Sequence, residues 1–213
     1  MAELTPMMKQ YLEMKREHPD SILFFRLGDF YEMFADDAKL ASKELDLTLT
    51  SRDKGKRAKP EEEKVPMCGI PYHASESYIA RLIAKGYKVA ICEQMEDPAA
   101  AKGLVDRDVI RIVTPGTAMA DEMLDESQNN YICAVYEDSA GAALARCDLS
   151  TGQFTAAPFQ GKDFLPHLLN ALAACPPSEA ILSDSAASDG QLTEFLKERL
   201  NCLCQPAVEA RFR

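Results

Sequence analysis

The chain is 213 residues long and 46% hydrophobic, which allows one large or two modest domains with real cores. A net charge of −10 argues against nucleic-acid binding by bulk charge, and no run of 18 apolar residues offers a membrane span. The opening Met1-Ala2-Glu3-Leu4-Thr5-Pro6 lacks the basic-then-apolar pattern of a secretory signal.

The charge is uneven. Residues 1–117 hold 18 Lys/Arg against 20 Asp/Glu, whereas the remainder holds 6 against 14. The nearly neutral first part carries a basic cluster at Arg52, Lys54, Lys56, Arg57 and Lys59, and the acidic second part suits a protein partner or plain solubility. The seven cysteines are an odd count, scattered mostly in apolar segments. They read as reduced core thiols of a cytosolic protein, and Cys202-Leu203-Cys204 lacks zinc spacing.

In chain order, Thr5-Pro6 reads as a helix cap with proline in the first turn, and the helix ends near His18-Pro19. A strand over 21–27 and a helix over about 30–45 follow, which puts Phe30 and Glu32 where a strand hands over to a helix. Residues 47–50 alternate as a strand, and 52–64 form a charged loop. A helix over 75–85 ends at Gly86, and strands at 87–94 and 109–114 complete a small α+β domain on a mixed sheet. After an acidic linker come three strands (130–136, 142–148, 152–157), a helix (162–174), a strand (179–183) and a helix (189–199). This β-β-β-α-β-α order opens a ribonuclease-H-like α/β fold. One more strand and helix are expected after it. Their absence would leave a sheet edge open and the apolar positions Leu168, Leu169, Leu172, Phe195, Leu196 and Leu200 short of cover.

Several residues have two readings. Phe30 is either an aromatic filling the core at the strand–helix corner or an exposed wedge able to unstack bases. Glu32 is either a first-turn carboxylate stabilised by the helix dipole or a group that contacts a base. Tyr31 points away from its neighbours, into the core. The basic loop is either a solvated loop or a clamp on the phosphate backbone. The 67–73 segment reads as a buried proline turn, and a lone His73 as a hydrogen-bonded structural residue.

Four ordered blocks add a resemblance. They are Gly28-Asp29-Phe30-Tyr31-Glu32, Pro66-Met67-Cys68-Gly69-Ile70-Pro71-Tyr72-His73, Val89-Ala90-Ile91-Cys92-Glu93-Gln94 and Arg111-Ile112-Val113-Thr114-Pro115-Gly116-Thr117. Together they resemble the mismatch-recognition domain of the MutS family of DNA mismatch repair proteins. More loosely, the chain from about residue 128 resembles that family's connector domain. The resemblance implies a mismatch-recognition domain over 1–117, an acidic linker over 118–128 and a C-terminally truncated connector over 129–213. The chain would then be a segment of a longer protein or a truncated gene product.

The resemblance further implies a DNA-binding set of Phe30, Glu32, Arg52, Lys54, Lys56, Arg57, Met67 and His73, with the 67–73 segment as a second DNA-facing loop rather than a buried proline turn. Phe30 would enter from the minor groove and stack on a mispaired base, with DNA bending. Glu32 would hydrogen-bond that base, protonation being favoured by nearby phosphates, and would oppose binding to intact pairs while ionised. The ligand would be double-stranded DNA with mismatches or small loops, in the bacterial cytosol or nucleoid. The family's ATP and magnesium chemistry and its dimerisation region would lie outside this chain, so no cofactor, metal site or catalysis is expected here. A second reading has the acidic connector docking a repair partner such as MutL while the fragment leaves DNA unbound. A nuclease is not expected, because the strand over 130–136 lacks the carboxylate that two-metal chemistry needs, and Asp148 and Asp184 merely end other strands.

Overall fold

The computed structural model describes residues 5–51, 65–96, 103–119 and 128–207. Their packing divides the chain into two units, Met1–Val113 and Thr114–Arg213. The turn at 114–117 thus falls in the second unit, whereas the sequence reading drew the first domain to residue 117.

In the first unit, the Thr5 side chain accepts from the Met8 N–H and caps helix α1 (Pro6–Glu17). Strand β1 (Ser21–Leu27) enters a two-residue turn at Gly28-Asp29 and returns as β2 (Phe30–Phe34), with Leu27 paired to Phe30. Helix α2 (Ala35–Leu45) begins only there. The predicted helix over 30–45 is therefore two elements, and Phe30 and Glu32 lie on a strand rather than at a strand-to-helix handover. The apolar spacing from Phe34 to Leu45 is helical, but Phe30-Tyr31-Glu32-Met33-Phe34 also alternates. A glycine able to take φ +58 lets that alternation pair back on β1. At the second corner Ala35 adopts φ 54, a left-handed conformation that costs a non-glycine residue roughly 1–2 kcal/mol.

The predicted strand over 47–50 shrinks to β3 (Thr50–Ser51), and the predicted proline turn is instead strand β4 (Pro66–Pro71). Its prolines stand at its first and last positions, where a missing N–H is tolerated. A 3₁₀ turn (Tyr72–Ala74) leads to α3 (Ser75–Ala84), β5 (Lys88–Gln94) and β6 (Arg107–Val113). The six strands lie in the order β3-β4-β2-β1-β5-β6, with β1 and β5 parallel and the other pairs antiparallel.

Helix α1 buries Met8, Tyr11 and Met14 against Leu23, Phe25, Phe34, Ala90 and Cys92. Asp37 in α2 ties the pieces together. It accepts from the Leu23 N–H at 3.0 Å and the Tyr11 hydroxyl at 3.2 Å, and Lys15 Nζ lies 2.9 Å from it. All seven cysteines are free thiols, and burial pushes Cys68 up to about 11 and Cys92 up to about 12.

The second unit runs β7 (Tyr131–Asp138), β8 (Gly141–Asp148), β9 (Gln153–Gln160), α4 (Phe164–Ala174), β10 (Pro177–Leu182), α5 (Asp184–Ser188), α6 (Gly190–Glu194) and β11 (Leu203–Pro206). Helical turns continue α6 through Phe195–Arg199. The sheet order is β11-β10-β7-β8-β9. Strand β11 pairs parallel to β10, so the fifth strand expected to be missing is present. It escaped the sequence reading because it is four residues long, ends in proline and follows a left-handed turn at Asn201. The expected lack of cover is corrected as well. Leu168, Leu172 and Leu196 are fully buried, and Leu169, Phe195 and Leu200 pack against the same core.

Gly141 opens β8 at φ +146, where an added Cβ would lie 2.1 Å from the Phe159 carbonyl oxygen of the neighbouring strand. Gly152 has φ +71 but open space around it. Gly141→Ala should destabilise the second unit by roughly 3 kcal/mol and Gly152→Ala by about 1 kcal/mol, read from hydrogen exchange of β8 amides. Equal effects would mean that φ alone, and not the contact with β9, demands glycine at residue 141.

Candidate nucleic-acid interface

Alternation along β2 sends Phe30, Glu32 and Phe34 to one face and Tyr31 and Met33 to the other. Pairing places Leu27 beside Phe30 and Phe25 beside Glu32 on that first face, with Pro71, Gly69 and Met67 alongside from β4. Helix α1 covers one end of the stripe, where Phe34 is completely buried and its ring meets Tyr11 at 5.0 Å. At the other end Phe30 is 48% exposed, which rules out the core-filling reading of this ring. Tyr31 is buried against Phe24, as expected.

Glu32 is half-buried at mid-strand, directly across from Gly69. It is not a first-turn carboxylate, since that place in α2 belongs to Asp36 and Asp37. Gly69 is exposed between the buried residues Cys68 and Ile70. A Cβ there would come within 3.6 Å of Glu32 Cγ and 3.3 Å of the Tyr31 carbonyl oxygen. Glycine leaves the position beside the carboxylate without a side chain.

The opposite face braces the hairpin. Arg26 donates from Nε to the Gly28 carbonyl, its guanidinium lies 3.7 Å from the centroid of the Tyr72 ring, and Nη1 reaches Glu93 at 3.4 Å. The Tyr31 hydroxyl donates to Glu93. Burial, that hydrogen bond and the Glu93 charge together push the phenol far above its ordinary range. The Tyr72 N–H donates to the Asp29 carbonyl at 3.0 Å. On the Phe30 side of the sheet, the buried Arg107 donates to the Arg26 carbonyl at 2.8 Å and lies 4.9 Å from the Phe25 ring centroid.

The structure thus brings together Phe30, Glu32 and, farther along the same face, Met67, which is half-buried against the α1 core. His73 is exposed in the turn whose first residue bonds the hairpin. Arg52, Lys54, Lys56 and Arg57 lie outside the described residues. Sequence reasoning missed Tyr72 (42% exposed) and Arg26, which brace the hairpin from behind the site. An exposed aromatic after a proline was a usable signal for Tyr72. Arg26 gave none, because its partner Glu93 is 67 residues away and becomes a neighbour only through the β1–β5 register.

The acids of the second unit serve its own turns. Asp148 is buried and accepts from the Ser150 hydroxyl and from the N–H groups of Ser150, Thr151 and Asn130. Burial alone would push its pKa up, but these bonds outweigh it and hold the carboxyl below the usual range. Asp184 opens α5, exposed to solvent. Among the described residues, no three His, Cys, Asp or Glu side chains converge to hold a metal, and no helix is long and apolar enough to cross a membrane.

The family model for MutS domain I matches residues 5–122, and that for MutS domain II matches residues 130–212. The chain belongs to the MutS family. It is 51% identical over 212 residues to a protein named DNA mismatch repair protein MutS from Ruminiclostridium cellulolyticum, covering 100% of this chain and 24% of that protein. The proteins of the same name from Acetivibrio thermocellus and Staphylococcus carnosus are 52% and 50% identical over 201 residues, each match covering 94% of this chain and 22% of the relative. The chain therefore spans about a quarter of the length of these MutS relatives and corresponds to MutS domains I and II.

If Gly69 is glycine to keep space open rather than to permit a special backbone, Gly69→Ala should change stability by less than about 1 kcal/mol. The lower chain entropy of alanine offsets the tight approach to the Tyr31 carbonyl. A thermal melt showing a loss above roughly 2 kcal/mol would assign the glycine to packing instead.

Proposed function

We propose that the first unit binds double-stranded DNA at mismatches and small loops, and that it does so by inserting Phe30 from the minor groove. The observation that carries this reading is an aromatic ring nearly half exposed at a hairpin tip, with a carboxylate on the same face one pleat away. Membership of the MutS family supports the DNA-repair setting.

A ring driven between base pairs costs a few kcal/mol of unstacking per step, and a mispaired step resists less. Selectivity then comes from the deformability of the DNA rather than from a code of base edges. Glu32 shares the face of the ring and lies across from Gly69. It supplies a hydrogen bond to a displaced base and repels the backbone of a duplex that does not yield. The basic cluster from Arg52 to Lys59 supplies phosphate contacts in this scheme, and binding weakens steeply with salt.

Phe30→Ala should abolish the preference for mismatched over matched duplex in low-salt anisotropy titrations. It should lower stability by only about 1 kcal/mol, because much of the ring is already in water. Retained preference would sink the wedge.

Glu32→Ala should tighten binding to matched duplex while narrowing the mismatch preference, since a negative charge is removed next to phosphates and one base contact is lost. Matched-duplex affinity that holds steady or falls would contradict this role.

A further inference from the structure

We propose that Arg26 is a positioning residue for mismatch recognition, acting from the far face of the sheet to hold the Phe30 hairpin rigid. The inference rests on the wedge reading above and adds a group that need not touch DNA.

A ring on a loose two-strand tip would lose much of its grip, because ordering the tip would have to accompany binding. The guanidinium of Arg26 meets four separate pieces of chain. It bonds the Gly28 carbonyl inside the turn, pairs with Glu93 on β5, lies 5.6 Å from the Tyr31 ring on β2 and stacks at 3.7 Å on Tyr72 beyond β4. Glu93 also receives the Tyr31 hydroxyl, and the Tyr72 N–H bonds the Asp29 carbonyl, so the partners are themselves tied to the hairpin. From the other side the buried Arg107 holds the Arg26 carbonyl. A planar fork with several donors can make the turn bond, the ion pair and the ring stack at once, and an ammonium cannot. Alternation sends the Arg26 side chain to the face opposite Phe30, so its effect on a stacked base passes through the hairpin.

The test uses the 213-residue chain with Arg26→Met and Arg26→Lys, a mismatched duplex carrying 2-aminopurine beside the mismatch, and its matched counterpart. Both variants are expected to lower the mismatch-to-match affinity ratio by about three- to ten-fold with matched affinity unchanged. The 2-aminopurine unstacking signal should fall with the ratio. Without DNA, the Tyr72 amide should exchange at least about ten-fold faster while amides of β5 keep their protection. If Arg26→Met unfolds the unit, Arg26→Lys carries the test, because lysine still reaches Glu93.

An unchanged ratio and an unchanged Tyr72 amide overturn the proposal. Equal loss on matched and mismatched duplex also overturns it, since that marks a phosphate contact or a general structural role. Phe30→Ala, run in parallel, separates the two levels. If that variant keeps the preference, or if the unsubstituted chain binds no duplex, the wedge reading fails and this proposal falls with it. If Phe30→Ala loses the preference and the Arg26 variants keep it, only the positioning role fails.

Discussion

A turn of two residues governs what the first unit displays. Gly28 takes a positive φ, Asp29 does not, and β2 returns on β1 with Leu27 against Phe30. One more residue in that turn would shift the pairing by a step and exchange the two faces of β2. Tyr31 and Met33 would then face α1, and Phe30 and Glu32 would enter the layer beneath α2 and α3. The burial of Tyr31, the exposure of Phe30 and the open ground over Gly69 all depend on that loop length.

Signals confined to one segment were legible in the sequence. The cap at Thr5, the strand over 21–27, the helix at 75–84 and the three strands of the second unit carry their own period and punctuation. Elements that depend on a partner strand were not. Strand β2 is hidden because its last residue also starts a helical stripe. Strand β4 is hidden behind two prolines and a glycine, which only pairing with β2 and β3 turns into a strand. Strand β11 is too short to announce itself. The site divides in the same way: Phe30 and Glu32 were visible in a local motif, whereas Arg26, Glu93 and Tyr72 become one cluster only after the sheet has assembled.

In the second unit a buried carboxylate does comparable organising work. Glu179 is almost fully buried and accepts from the Thr114 hydroxyl, the Gly116 N–H at 3.0 Å and the Gln205 side chain. Three donors offset the desolvation cost of burying its polar oxygens. They also fasten the 114–117 turn and strand β11 to β10. A Cβ at Gly116 would lie 2.7 Å from Glu179 Cβ, so this close approach leaves no room for a side chain.

Strand β2 can also be regarded as a cantilever. Its free end carries Phe30, and its root is bolted at Phe34, whose carbonyl accepts from Tyr11 at 3.2 Å and whose N–H donates back to the same hydroxyl at 3.4 Å. Tyr11 is in turn pinned to Asp37, and Asp37 to Lys15 and Leu23. A load on the ring therefore travels roughly 13 Å down the strand before it reaches helix α1. A tyrosine and an aspartate deep in the unit therefore hold the root from which the tip projects.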